Sequence, residues 1–208
     1  MTGRIIQTPA CVAEGAAWLA VAEPRFAAAL ARTGPLPLRR SPDGFAALLG
    51  ALVARQVRPA SAAASRARLA EAGLLTEDTV AAASDEALRA CGLSRQKIRY
   101  ARALAEARLP YPALAAMPDD AVIATLTAVP GIGRWTAEIY AMFALGRADI
   151  FAPGDLALQE ASRTLFDLPA RPREPAFRAM AEAWSPWRAV AARLLWAYYR
   201  VQTQREGV

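Results

Sequence analysis

A proline and two glycines in the run Pro130-Gly131-Ile132-Gly133 interrupt a chain that is otherwise rich in helix formers, and this punctuation does most to limit the folds open to it. Pro130 has no N–H to give to a helix, and each glycine admits positive φ, so the backbone reverses tightly there. On one side Leu126 and Val129 close an apolar pattern that begins near Pro118. On the other, Trp135, Ile139, Met142 and Phe143 recur at helical spacing, with Gly146 as the stop. The unit reads as helix, glycine turn, helix. N–H groups at the start of the second helix have no carbonyl of their own helix to meet, which suits a phosphate and is indifferent to base sequence. A G-x-G turn is weak evidence by itself, since many such turns only connect helices.

Elsewhere the same kind of punctuation recurs. Ser41-Pro42 starts a helical pattern through Leu48, Leu49, Leu52 and Val53, and Pro59 starts the next, ending at Gly73. Ser84 and Gly92 bracket a short third. Ser94 caps a fourth through Ile98, Ala101 and Leu104, and Pro110, Pro112 and Pro118 separate the turns that follow. No stretch alternates in the manner of a strand, so the fold class expected is all-α.

After the second hairpin helix comes the loop Ala148-Asp149-Ile150-Phe151-Ala152-Pro153-Gly154-Asp155, and Leu156 then opens a helical pattern through Leu158, Ala161 and Leu165. Asp155 therefore stands at a helix N-terminus. Its ordinary job there is an N-cap. A carboxylate beside a phosphate-binding turn can also stabilise positive charge developing on a sugar as a base departs, or orient a water towards it, and the two roles are compatible.

Taken together, the hairpin, the Gly/Pro loop and the aspartate resemble the helix-hairpin-helix (HhH-GPD) motif of DNA glycosylases, and LTAVPGIGRWTA is most similar to the alkylation-repair branch, 3-methyladenine DNA glycosylase II. The resemblance runs from about Phe45 to Tyr199. It implies hydrolysis of the N-glycosidic bond of alkylated purines in double-stranded DNA, with Asp155 as the catalytic carboxylate. It also implies two helical lobes, residues 44–146 forming the central one and residues 1–43 plus 147–208 the other, with DNA lying in a cleft between them. The amino-terminal sheet domain of some relatives is not expected here, and the enzyme is expected to act as a monomer.

The resemblance assigns further residues. Gly131, Ile132, Gly133, Arg134 and Thr136 would meet the DNA backbone. Arg55, Gln56 and Arg58 occupy a loop from which relatives insert a side chain into the duplex, with Gln56 the wedge candidate and Arg55 a departure from the usual glutamine. The base must leave the stack to be cut, so a pocket is needed. Trp135, Ile139, Tyr140 and Trp196 are its candidates, because an aromatic face attracts a cationic base. Trp184 and Trp187 belong more naturally to a core. Ile139 stands where relatives place tyrosine, with Tyr140 next. Hairpin carbonyls of Thr127, Val129 and Ile132 would hold a monovalent cation, Na+ or K+, and no other cofactor is expected.

Bifunctional relatives, which also nick the strand through a Schiff base, carry lysine at the position of Trp135. Of 25 basic residues here only Lys97 is lysine, and arginine is not a nucleophile, so no lyase activity is expected. Lys97 reads as a solvated or phosphate-contacting residue, and Glu138 as a helix-end charge without catalytic role. Absence of histidine excludes Ser-His-Asp chemistry and histidine metal sites. Two isolated cysteines, Cys11 and Cys91, cannot ligate an iron–sulfur cluster or build a disulfide framework, which fits a reducing, cytoplasmic setting. A net charge of +6 suits a polyanionic partner, and no apolar run is long enough to span a membrane. Two other readings stay open: a relative acting on oxidised or mismatched purines, and a non-catalytic DNA-binding module.

Overall fold

The computed structural model describes residues 3–55, 57 and 59–205. Among the described residues thirteen α-helices run in chain order: α1 Pro9–Ala22, α2 Pro24–Thr33, α3 Phe45–Val53, α4 Pro59–Glu71, α5 Glu77–Ala82, α6 Asp85–Ala90, α7 Arg95–Glu106, α8 Tyr111–Leu114, α9 Asp119–Thr127, α10 Arg134–Phe143, α11 Leu156–Leu165, α12 Glu174–Ala181 and α13 Arg188–Arg205. Among the described residues there is no strand, only an isolated antiparallel bridge between Ile5 and Arg147. The chain is all-α, and no described helix is long and apolar enough to cross a membrane.

Two compact units divide it: Ser41–Leu145, and Gly3–Arg40 with Gly146–Val208. In the first, α3 packs on α4, α7 and α10, while α9 and α10 form a helical hairpin. Its core is drawn from Leu48, Leu49, Leu52, Leu88, Leu104, Val122 and Leu126, all essentially without solvent exposure. α3 starts at Phe45 behind an N-cap Gly44 with φ +104, later than Ser41-Pro42 suggested, because a glycine-only backbone precedes it. α5, a helix that apolar spacing alone did not disclose, is set by a capping box of Thr76 and Thr79.

In the second unit α13 packs against α1, α2 and α11. Both α1 and α2 begin with proline, whose fixed φ is preorganised for the first helical position. Phe26, Phe151, Phe166, Phe177 and Trp184 form a cluster in which Trp184 meets Phe26 edge to face, with centroids 5.2 Å apart, and stacks on Phe166 at 5.8 Å. Trp184 and Trp187 are both buried. A Cβ on Gly15 would come within 2.6 Å of the Trp187 ring, so α1 needs glycine there for Trp187 to pack.

Candidate functional site

The hairpin is held by contacts inside its own unit. Ile132 N–H donates to the Val129 carbonyl at 3.0 Å, closing the turn, and Gly131 has φ +92. A Cβ on Gly131 would meet the ring of Tyr100 and approach its Cβ to 2.7 Å, so space and backbone both demand glycine. Tyr100 is fixed in turn by Gln96, whose amide donates to its hydroxyl at 2.9 Å. α10 then begins at Arg134 behind Gly133, which lends its first turn no side-chain acceptor. That is the condition under which a helix start takes an outside anion.

Several expected contacts fall elsewhere. Thr136, expected to meet the DNA backbone, is buried. Arg134 is half exposed and its Nε donates at 3.0 Å to the carboxylate of Glu138, four residues on and almost fully buried. Glu138 is thus a buried partner of Arg134 rather than a helix-end charge in solvent. Arg55 turns its guanidinium onto the Gly131 carbonyl and braces the hairpin. Lys97, expected at the surface, donates from Nζ to the Val53 carbonyl at 2.6 Å and so satisfies the C-terminal end of α3. Burial, then the neighbouring Arg55 charge, holds its pKa below the usual lysine range. Arg55, Gln96, Lys97 and Tyr100 line a cavity of about 380 Å³ beside the turn. Gln56 and Arg58 lie outside the described residues.

The pocket candidates on α10 separate. Trp135 is 39% exposed and Ile139 is partly exposed, whereas Tyr140 is buried. The Tyr140 hydroxyl donates to the Asp43 carboxylate and accepts from Gly44 N–H at 3.1 Å, so it ties α10 to the start of α3. Burial, then the Asp43 contact, pushes its pKa well above the usual tyrosine value. The buried residues of α10 are Thr136, Ala137, Glu138, Tyr140, Ala141 and Met142, so of the expected stripe Trp135, Ile139, Met142 and Phe143 only Met142 packs fully inward. The carbonyls of Thr127, Val129 and Ile132 are hard oxygen donors of the kind a monovalent cation takes, while the Gly131 carbonyl is used by Arg55.

In the other unit Asp155 is the N-cap of α11. Its Oδ1 accepts from Ala157 N–H at 3.0 Å, from Leu158 N–H at 3.1 Å and from Trp196 Nε1–H at 3.1 Å. The carboxylate and the Trp196 indole are therefore brought together, both partly exposed. The loop that delivers Asp155 is anchored at several points. Asp149 pairs with Arg188 through two contacts of 2.8 and 3.0 Å and accepts from Ser185 Oγ at 2.8 Å. Phe151 enters the aromatic cluster, and Gln159 donates to the Pro153 carbonyl at 2.7 Å. What the arrangement offers is a fixed negative charge beside an aromatic surface.

Comparison with known proteins identifies the family. The family of HhH-GPD superfamily base excision DNA repair proteins matches residues 49–188. DNA-3-methyladenine glycosylase 1 of Schizosaccharomyces pombe is 35% identical over 116 residues, 53% of this chain and 51% of that protein. The solved structure of a Schizosaccharomyces pombe 3-methyladenine DNA glycosylase in complex with abasic DNA matches with a TM-score of 0.81 at 26% identity, over 88% of this chain and 95% of that one. A Bacillus halodurans DNA-3-methyladenine glycosidase matches with a TM-score of 0.79 at 29% identity, over 100% and 95%. The chain spans about half the length of the curated relatives it matches, 43%, 54% and 51% of the first three.

Proposed function

The chain belongs to the HhH-GPD superfamily of base excision DNA repair proteins, and we propose that it is a monofunctional DNA glycosylase that removes alkylated purines from double-stranded DNA. The observation that carries the reading is the meeting of Asp155 Oδ1 with the Trp196 indole N–H at 3.1 Å, at the mouth of α11. Trp196 supplies an aromatic face for an electron-poor base, and Asp155 supplies charge for the sugar from which that base departs.

An N3- or N7-alkylated purine carries positive charge and leaves with the electrons of its bond to C1′, so it needs no strong general acid. Asp155 stabilises the oxocarbenium-like sugar and positions a water. The water oxygen bonds to C1′, and its proton passes to solvent. The hairpin around Gly131 and Gly133 grips the backbone without reading sequence. A Na+ or K+ held by the carbonyls of Thr127, Val129 and Ile132 would supply positive charge at that turn. Trp135, where a nucleophilic lysine would be needed for strand cleavage, makes the enzyme a hydrolase without lyase activity, and the head group of Lys97 is already committed to Val53.

Asp155→Asn tests this. Asparagine caps a helix about as well as aspartate, so the fold survives while the charge is lost. Free base released from a duplex carrying N-methylated purine should fall by at least a hundredfold, with binding to an abasic-site duplex retained. Undiminished release by the variant would refute the assignment. A wild-type chain that binds the abasic duplex and releases no base from any alkylated purine would make it a binding module instead.

A further inference from the structure

Arg193, Trp196 and Arg200 fall on one face of α13, spaced so that an arginine lies about one helical turn to either side of the tryptophan that reaches Asp155. From Arg188 to Arg205 this helix contains no Asp or Glu. Arg193 is buried, and it ties a second basic segment to the same face: its Nε donates to the Leu38 carbonyl at 3.2 Å while Nη1 donates to Ala189 O at 2.8 Å. The two residues after Leu38 are Arg39 and Arg40, both exposed. Arg39 has φ +47, a left-handed backbone that a non-glycine residue rarely adopts. Arg40 lies over Gly146, whose missing Cβ leaves the room for its guanidinium.

These charges act on one another. Burial first, then Arg39 and Arg40, pulls the Arg193 pKa down to about 10, and burial followed by Arg200 holds Arg39 below the usual arginine value. No carboxylate among the described residues pairs with Arg39, Arg40 or Arg200. A fold that gathers Arg39, Arg40 and Arg200, holds the first in a left-handed backbone and, among the described residues, gives these three no carboxylate partner offers a receptor for an outside anion. Guanidinium groups match phosphate oxygens in planar, bidentate fashion. Arg200 stands four residues beyond Trp196, about 6 Å of helix rise, the scale of a single nucleotide step.

We propose that Arg39, Arg40 and Arg200 clamp a backbone phosphate of the DNA strand whose sugar meets Asp155, with Arg193 as the positioning residue that fixes the Leu38 segment beside α13. This rests on the glycosylase reading of Asp155 given above. The clamp has a task distinct from the hairpin's: it grips the damaged strand next to the reacting nucleotide through side chains, whereas the hairpin offers main-chain N–H groups.

The test is a salt series for the full chain binding a duplex with one abasic-site analogue. Each phosphate contact removed should flatten the dependence of log affinity on log salt by about 0.9. Arg39→Gln, Arg40→Gln and Arg200→Gln should each flatten it by up to that amount, and Arg39→Lys and Arg200→Lys should restore it. Arg108→Gln, at an exposed residue paired with Asp78, should leave it unchanged. All three clamp positions are exposed, so the variants keep their core, and a thermal melt checks this. Glutamine variants that are folded and keep the wild-type slope overturn the clamp while leaving the glycosylase assignment standing. Failure of the wild-type chain both to bind the abasic duplex and to release alkylated base would overturn that assignment, and the clamp with it.

Discussion

Gly131→Ala is the sharpest probe of the hairpin, because two separable penalties meet at one atom. At φ +92 an alanine is strained, which costs on the order of 1–3 kcal/mol. The added methyl would also run into Tyr100, coming within 2.7 Å of its Cβ and closer to its ring, and overpacking of this kind costs about 1–3 kcal/mol more. A total loss of roughly 2–6 kcal/mol is expected. Tyr100→Gly removes both the ring and the Cβ that the methyl would meet, without touching the backbone strain at Gly131. In a double-mutant cycle the steric part should therefore vanish and the φ part should remain, giving a coupling of about 1–3 kcal/mol that favours the double variant. Urea unfolding measures it, provided the slope with denaturant is unchanged across the four proteins. Binding to an abasic duplex should weaken in Gly131→Ala and recover in part in the double variant. Strictly additive losses, or a Gly131→Ala cost below about 1 kcal/mol, would refute the claim that Tyr100 and the left-handed backbone together shape the turn.

Two further outcomes follow from single contacts. Trp196→Phe keeps an aromatic face but deletes the 3.1 Å donor to Asp155, and a hydrogen bond to a charged group contributes about 1.5–3 kcal/mol. Single-turnover base release should slow by roughly 10- to 150-fold, and a wild-type rate would show that this donor does not orient the carboxylate. Cys11, third residue of α1, has its pKa lowered to about 7, chiefly by its hydrogen bond with Thr8 at 3.3 Å. Its alkylation rate should reach half its maximum near pH 7 and shift upward in Thr8→Ala. A lowered folded value means that the thiolate's contribution to stability grows as pH rises through about 7, is complete above the unfolded thiol's pKa, and is lost as pH falls. A midpoint near the ordinary thiol value would contradict the Thr8 contact.

Local signals disclosed the elements that have local causes. Asp155 capping α11, Ser94 capping α7 and Ser84 capping α6 are read from residue type and the helical pattern that follows. α10 shows where this stops. Trp135, Ile139, Met142 and Phe143 form a plausible apolar stripe, yet of these only Met142 is fully buried, and Thr136, Ala137, Glu138, Tyr140 and Ala141 pack inward beside it. Hydropathy ranks a tryptophan above an alanine without knowing which face of α10 its neighbours α9 and α3 cover. Arg55 on Gly131 and Lys97 on Val53 join side chains to carbonyls distant in sequence, so no spacing rule could reveal them. The Asp155 to Trp196 contact is equally remote, and only resemblance placed both residues in one site.

The carboxylate proposed for catalysis is fixed by the interactions that build the fold. Two main-chain N–H groups of α11 and one indole N–H converge on Oδ1 of Asp155. The loop before it is held by Asp149 on Arg188 and by Phe151 in the aromatic cluster. Electrostatic stabilisation of a developing cation is effective only when the charge is already oriented, since any reorganisation during the reaction subtracts from the gain. An aspartate on a free loop would lose that orientation to side-chain rotation. One at a helix N-cap has its rotation restricted in the folded protein, before any DNA arrives. The same three donors also show how a cap can serve the proposed catalysis at Asp155: the helix needs an acceptor at its first turn, and the geometry that satisfies it presents an anion to whatever lies in front of Trp196.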